Sequence, residues 1–210
     1  MTLLNYTKSK DYIKSKDCSD DYIKSKYKER EKEIKARLNE FKNNKNKKDV
    51  FYELCFCLLT PQSNAYKCYD AVQELKKRDF LNKNFKIEDI LRTKTRFYKN
   101  KSKYLYGMKK KFRNLKIDRE FLVKNVKGIS YKEASHFLRN IGYRNYAILD
   151  RHILKNLQKL EIIDEIPKTL TKKRYLEIEE KFKKFSKDIG ISMDELDLLF
   201  WSMETGKIFR

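Results

Sequence analysis

Residues 126–150 read VKGISYKEASHFLRNIGYRNYAILD. This stretch contains a glycine break between two helical patterns, followed by a lysine and an aspartate. Gly128 separates two helical patterns, because glycine adopts backbone angles that other residues avoid. Lys132 follows the break closely, and Asp150 lies 18 residues beyond it. The helix predicted after the break has apolar residues on one side, at Ala134, Phe137, Leu138 and Ile141. We take the lysine and the aspartate as candidate site residues.

The charged residues of this predicted helix have two interpretations. At 100° per residue, Lys132, His136 and Arg139 fall together on the side opposite the apolar residues. This pattern is typical of a solvent-exposed basic face. However, a lysine beside other cations loses some of its preference for the charged form, which is what an amine nucleophile requires.

The composition indicates a polyanionic partner. The chain of 210 residues has 51 Lys and Arg against 30 Asp and Glu, so its formal net charge is +21. This excess of like charge disfavours a compact state unless a partner neutralises it. Nucleic acid is the partner that we expect. A membrane partner is disfavoured, because no apolar run approaches eighteen residues and the N-terminus, MTLLNYTKSKDYIKSK, does not resemble a signal peptide. We therefore expect a cytoplasmic protein.

The four cysteines do not match a metal-binding pattern. They lie at positions 18, 55, 57 and 68, which fit neither zinc nor iron-sulfur spacing. Cys55 and Cys57 belong to a predicted helix, where residues i and i+2 point in nearly opposite directions. We interpret the cysteines as buried thiols and expect no metal site.

The remaining patterns predict helices throughout, and no alternating strand pattern is present, so the predicted fold class is all-α. One or two cationic helices are predicted before residue 45, with Tyr12, Ile13, Tyr22 and Ile23 facing inward, followed by a loop at 41–49. A buried helix is predicted from Asp49 to the residues before Pro61. Later helices are predicted near residues 87–93, 96–115, 118–126, 151–160, 171–187 and 192–204.

Two of these segments have internal features of interest. An apolar stripe of Phe97, Tyr104, Leu105 and Met108 lies beside many lysines. The segment from Ser192 to Glu195 has a capping-box pattern, and Gly206 is a typical residue for ending the last helix.

The turn after the buried helix is a second candidate for ligand contact. Gln62, Ser63 and Asn64 are predicted at an interhelical turn and the first turn of the next helix. At such a position, side-chain amides and backbone N–H groups can face a ligand. The alternative is that these residues only cap a helix.

Together these motifs resemble the helix-hairpin-helix DNA glycosylase superfamily. The resemblance rests on hydrophobic-x-Gly-Ile-Ser-x-Lys-x-Ala at the hairpin, on an aspartate 18 residues after the lysine within Leu-Asp-Arg-His-Ile, and on the upstream LLTPQSNA segment. It covers roughly residues 50–155. A short, all-helical chain without an iron-sulfur cysteine cluster is most similar to the archaeal second class of 8-oxoguanine DNA glycosylase/lyase.

The resemblance implies a role for each matched residue. Lys132 matches the catalytic amine and Asp150 the catalytic carboxylate. Gln62 matches a residue that fills the gap left by the flipped base, and Lys67 one that reaches the unpaired base opposite. The other positions implied in DNA binding are Ser63, Asn64, Gly128, Ser130 and His152. In the base pocket, Trp201 is a candidate stacking surface, and Lys207 and Arg210 are candidate contacts of the C-terminal end.

The chain departs from the family pattern at three places. Lys127 stands where the hairpin often has proline, and Ser130 stands where it often has a second glycine. The last residue is Arg210, where that class typically has lysine. The family also implies that hairpin carbonyls can hold a structural monovalent cation, and no other cofactor is expected.

We therefore predict two helical domains with the hairpin, at about 117–142, beside the cleft between them. Residues 49–149 would form a central barrel-like domain, and residues 1–48 with 150–210 a second one. The predicted function is excision of 8-oxoguanine from double-stranded DNA followed by strand cleavage, by a monomer in the cytoplasm of a prokaryote or archaeon, associated with the nucleoid. The alternatives are a glycosylase/lyase for another oxidised base, a non-catalytic DNA-binding hairpin module, and a basic RNA-binding protein.

Overall fold

The computed structural model describes residues 16–43 and 46–210, with side chains described from residue 20 onward. In these parts of the chain the regular structure consists of α-helices and one 3₁₀ turn, Phe112–Asn114, without a β-strand. The all-α prediction is confirmed. The helices are α1 (Lys16–Asn43), α2 (Lys47–Leu59), α3 (Ala65–Lys77), α4 (Glu88–Arg92), α5 (Tyr98–Lys111), α6 (Arg119–Asn125), α7 (Tyr131–Asn140), α8 (Arg151–Lys159), α9 (Lys172–Ile189) and α10 (Met193–Thr205). None of them is both long and apolar enough to cross a bilayer.

The chain divides into two compact units. Residues 38–148 form the central unit, and residues up to 37 together with 149–210 form the terminal unit. The division falls within α1, whereas the predicted domain boundary was at residue 49. Residues at the end of α1 pack on the central unit, since the Phe41 ring lies 5.0 Å from the Arg139 guanidinium and Arg144 Nη2 donates to the Leu38 carbonyl oxygen at 2.8 Å. That residues 49–149 fold as an independent domain stays a prediction.

Helix α2 is the core of the central unit. All side chains from Phe51 to Leu59 are buried, and α2 packs against α3, α5 and α7. Each buried Phe or Leu side chain contributes about 1.5–3 kcal/mol to folding. Asn46 caps the start of the helix by accepting the Asp49 N–H at 2.8 Å, and Thr60, the residue before Pro61, is its C-cap. This confirms the predicted buried helix.

The terminal unit has its own core. Ile23 and Ile34 of α1 are buried, and the Phe182 and Phe200 rings of α9 and α10 stack with centroids 6.1 Å apart. Ser192 and Glu195 form the predicted capping box at the start of α10, and Gly206, with φ of +80°, ends it as predicted.

Three predictions about the helices are wrong. Tyr22 is 45% exposed rather than inward-facing, although Ile23 is buried. Phe97 is 54% exposed because it precedes α5 with a left-handed backbone and does not belong to the apolar stripe. The predicted loop at 41–49 is shorter, since α1 continues to Asn43 and α2 starts at Lys47. Tyr12 and Ile13 lie outside the described residues.

The helical hairpin consists of α6, a turn at 126–130 and α7. Asp118 caps α6 by accepting the Phe121 N–H at 2.8 Å. Gly128 has a φ of +92°, and a Cβ atom there would lie 2.4 Å from Cδ2 of Tyr104 on α5. Only glycine therefore fits both the backbone conformation and the space at this turn.

We expect Gly128→Ala to destabilise the protein by about 1–3 kcal/mol, because the alanine would be strained at positive φ and would displace the Tyr104 ring. The control is Gly107→Ala in α5, where nothing lies within 4 Å of the added Cβ. Removing this helical glycine should stabilise the protein by about 0.5–1 kcal/mol. Urea unfolding followed by circular dichroism measures both changes. Equal effects of the two variants would contradict this account of the turn.

Candidate active site

Lys132 is held at the start of α7 by the carboxylate next to it. The Lys132 Nζ lies 2.8 Å from Oε1 of Glu133. The other oxygen of Glu133 accepts the backbone N–H of Ser130 at 3.1 Å and also the Ser130 hydroxyl. One carboxylate thus fixes both the N-cap of the helix and the lysine. The Lys132 side chain is 23% exposed, so its amine remains accessible to a large ligand.

Glu133 is a carboxylate in this site. Burial alone would raise its pKa, but the charge of Lys132 and the hydrogen bonds from Lys132 and Ser130 outweigh this effect and lower the pKa. Lys132 must lose a proton before it can attack a carbon atom.

The predicted basic face of α7 is wrong. His136 is 7% exposed and lies against the Phe56 ring, with centroids 5.7 Å apart, and Arg139 is 1% exposed beside Phe41. Helix α7 is buried on both sides because α2 and α6 pack against it and the end of α1 covers Arg139. These two residues therefore do not form an exposed basic face with Lys132.

A buried lysine of α5, Lys101, contacts the turn after α2, and burial together with the charge of Lys132 lowers its pKa. Lys101 is 4% exposed, and its ammonium donates to the carbonyl oxygens of Leu59 at 2.6 Å and Pro61 at 2.8 Å and to the Ser63 hydroxyl at 2.7 Å. Burial is the main reason that its pKa is lowered to about 8. The structure thus connects the hairpin lysine with the turn after α2.

The turn after α2 carries the predicted DNA-contacting residues. Gln62 is exposed and has a φ of +52°, and Lys67 is also exposed. Asn64 caps α3 by accepting the Lys67 N–H at 3.1 Å, and the Ser63 hydroxyl accepts from Lys101 and from the Arg96 N–H at 2.9 Å. Ser63 and Asn64 therefore have intramolecular roles here, and their contact with DNA stays a prediction.

Asp150 belongs to the terminal unit, where it caps α8. Its Oδ1 accepts the N–H groups of His152 at 2.8 Å and Ile153 at 2.9 Å. The positive end of the helix stabilises this carboxylate. The His152 ring is partly exposed, and its Nδ1 lies 3.8 Å from Glu204 Oε2.

The candidate base-pocket residues lie at the end of the terminal unit. Trp201 is half-buried, and its ring centroid is 6.2 Å from that of Phe209, with the planes tilted by 30°. Ile208 is buried and holds the last residues against the unit. Lys207 is exposed and Arg210 is half-buried. The Trp201–Phe209 pair keeps the C-terminal residues close to the indole.

Two residues of the site were missed by sequence reasoning. The sequence contains a pattern that predicts the role of Glu133, because Ser130-Tyr131-Lys132-Glu133 is a capping box. The sequence also indicates that Lys101 is buried, because it lies at helical spacing with the buried residues Leu105, Met108 and Phe112. A lysine at a core position has to find polar partners inside the protein.

Three of the four cysteines have described side chains, and the side chain of Cys18 lies outside the described part of the chain. Cys55, Cys57 and Cys68 are buried and free, as predicted, and burial raises the pKa of the Cys68 thiol to about 11. Within residues 16–43 and 46–210, no three His, Cys, Asp or Glu side chains come together as metal ligands.

Comparison with known proteins identifies the family. The family model described as 8-oxoguanine DNA glycosylase matches residues 34–191. A protein of Fusobacterium nucleatum named 8-oxoguanine DNA glycosylase/AP lyase is 50% identical over 209 residues, which is 90% of this chain and 96% of that protein.

Solved structures support the same conclusion. The crystal structure of the Methanocaldococcus jannaschii 8-oxoguanine DNA glycosylase matches with a TM-score of 0.82 and 38% identity, over 91% of this chain and 95% of that one. The M. jannaschii 8-oxoguanine glycosylase/lyase in complex with a 15mer DNA containing 8-oxoguanine matches with a TM-score of 0.77 over 90% and 99% of the two chains. With its glycine-centred hairpin followed by Lys132, the chain belongs to the 8-oxoguanine DNA glycosylase family of helix-hairpin-helix proteins.

Proposed function

We propose that this protein is a bifunctional N-glycosylase and DNA-(apurinic or apyrimidinic site) lyase that removes 8-oxoguanine from double-stranded DNA. The observation that carries the proposal is the placement of Lys132: an accessible amine directly after the Gly128 turn, held by a buried carboxylate. Relatives that match nearly the full length of the chain are named for this activity.

The first chemical step replaces the base by the lysine. The damaged nucleotide leaves the base stack so that its sugar reaches Lys132. The neutral amine attacks C1′, the bond between C1′ and the base breaks, and the base leaves with the bonding electrons and takes up a proton. The nitrogen lone pair then expels the ring oxygen O4′ from C1′ and O4′ takes up a proton, which leaves a protonated Schiff base between Nζ and C1′.

The second step cleaves the strand. The Schiff base acidifies the C2′ proton, and its removal expels the 3′ phosphate by β-elimination. Water then releases the sugar fragment from Lys132. Asp150 stabilises the positive charge that develops on the sugar or accepts the proton from Lys132 before attack.

The DNA contacts divide between the two units. At the hairpin, backbone N–H groups near Gly128 and Ser130 bind a phosphate at the start of α7. Gln62 fills the gap left by the flipped nucleotide, and Lys67 reaches the opposite base. Ser63 and Asn64 support this contact, and His152 lies near a phosphate in the terminal unit. Trp201 stacks on the oxidised base, with Lys207 and Arg210 beside it.

The proposal also includes the oligomeric state, the location in the cell and a cation site. The enzyme acts as a monomer in the cytoplasm, where it is associated with the nucleoid. Carbonyl oxygens of the hairpin would hold a monovalent cation, which would supply positive charge for the DNA backbone. The Val126 carbonyl oxygen is a candidate, because it accepts the Ile129 N–H at 3.2 Å and a carbonyl oxygen has a second lone pair.

Borohydride reduction tests the nucleophile. Wild-type protein mixed with a duplex containing 8-oxoguanine should form a stable covalent adduct, and Lys132→Gln should form none while still binding the duplex. Lys86→Gln removes an exposed lysine elsewhere on the central unit and should trap as efficiently as the wild type. An adduct of undiminished yield in Lys132→Gln would contradict the assignment. Stronger trapping on an oxidised pyrimidine than on 8-oxoguanine would favour the rival substrate.

Two substitutions separate the two roles of Asp150, which are helix cap and catalytic carboxylate. Asp150→Asn should keep the α8 cap but lose the charge, so excision should fall by about 10²–10⁴-fold with little change in stability. Asp150→Ala should in addition destabilise the protein by about 1 kcal/mol. Single-turnover rates and urea unfolding measure the two effects. Full activity of Asp150→Asn would show that Asp150 is only a helix cap.

The salt dependence of DNA binding tests whether the net charge of +21 serves to bind DNA phosphates. Each neutralised phosphate contributes about −0.9 to the slope of log K against log salt concentration, so a binding face of six contacts predicts a slope of about −5. Fluorescence anisotropy with an undamaged duplex measures it. A slope near zero would mean that the positive charge serves another purpose.

A further inference from the structure

The structure assigns Lys101 as a positioning residue that holds the turn bearing Gln62 in place relative to the hairpin. This inference rests on the proposed function and extends it to a residue of α5 that has no direct part in the chemistry. Its basis is the set of three hydrogen bonds from one buried ammonium to the chain on both sides of Gln62.

The Gln62 backbone requires such support. Its φ of +52° is in the left-handed region, where a non-glycine residue pays about 1–2 kcal/mol. This conformation persists only when neighbouring structure determines it. Lys101 binds the Leu59 and Pro61 carbonyl oxygens before Gln62 and the Ser63 hydroxyl after it, at 2.6, 2.8 and 2.7 Å. The turn is therefore fixed on both sides of the exposed glutamine.

The same helix is also attached to the hairpin. One turn after Lys101, the Tyr104 ring occupies the space beside Gly128, and near the end of α5 Lys111 Nζ donates to the Asn125 carbonyl oxygen at 3.3 Å. Helix α5 thus contacts the turn after α2 with one residue and the hairpin with two others. Through Lys101, it sets the position of Gln62 relative to Lys132 within the central unit.

Lys101 is not a second nucleophile. All three of its N–H groups have acceptors, and the side chain is 4% exposed. Burial lowers its pKa to about 8, but the same burial and the three fixed acceptors keep the amine from reaching a DNA sugar. A buried and fully hydrogen-bonded ammonium acts through its contacts with the surrounding chain.

The effect of Lys101 should depend on whether a base has to be extruded. In a duplex with 8-oxoguanine, Gln62 must occupy the vacated space for the nucleotide to remain out of the stack. A duplex with an abasic site has no base to extrude and reacts at the same Lys132. Displacement of Gln62 should therefore slow the reaction of the 8-oxoguanine duplex more than that of the abasic duplex.

The test is a comparison of Lys101→Met with wild type in single-turnover reactions at saturating protein, below the melting temperature of either protein. Because misplacement by about 1 Å can cost 10²-fold in rate, we expect excision of 8-oxoguanine to fall at least about 10-fold. Cleavage of the abasic duplex should change less than about 3-fold. Lys103→Met, at an exposed position of the same helix, is the matched control and should behave as wild type.

A double-mutant cycle with Gln62→Ala separates positioning from general stability. If Lys101 acts through Gln62, Gln62→Ala alone shows the same selective loss, and Lys101→Met adds little to it. Equal losses on both substrates, additive losses in the double variant, or no loss on either substrate would overturn the inference. Wild-type protein that excises no 8-oxoguanine would instead overturn the proposed function.

Discussion

A buried carboxylate beside a glycine turn is the constraint on which the site depends. Gly128 lets the Tyr104 ring lie against the hairpin, just before the N-cap of α7 at Ser130. Glu133, in the first turn of α7, then binds the N-cap Ser130 and the Lys132 amine with its two oxygens. The proposed nucleophile is consequently positioned by backbone geometry and by a charge that α7 itself provides.

The same arrangement explains why two lysines of the central unit serve different purposes. Lys132 has a charged partner in Glu133 and a partly exposed side chain, so binding of DNA can change its surroundings. Lys101 has three fixed acceptors inside the protein and supports the strained turn at Gln62. Because only a neutral amine can attack C1′, the proposed chemistry requires Lys132 to give up a proton before it reacts.

The features that sequence predicted well are those determined locally. The glycine turn at Gly128, the capping box at Ser192 and the apolar run of α2 all depend on neighbouring residues in the chain. The errors concern burial that depends on distant segments. His136 and Arg139 face away from the apolar side of α7 but are covered by Phe56 and by Phe41 at the end of α1, which helical periodicity alone does not reveal. Lys101 was overlooked because its acceptors are about forty residues away in sequence.

Mass-spectrometric mapping of the borohydride-reduced adduct tests the central claim most directly. After reduction with a duplex containing 8-oxoguanine, nuclease and protease digestion leave a sugar fragment on the lysine that attacked. The account predicts that this fragment is on Lys132. A fragment on Lys101, on Lys67 or on the N-terminal amine would contradict it.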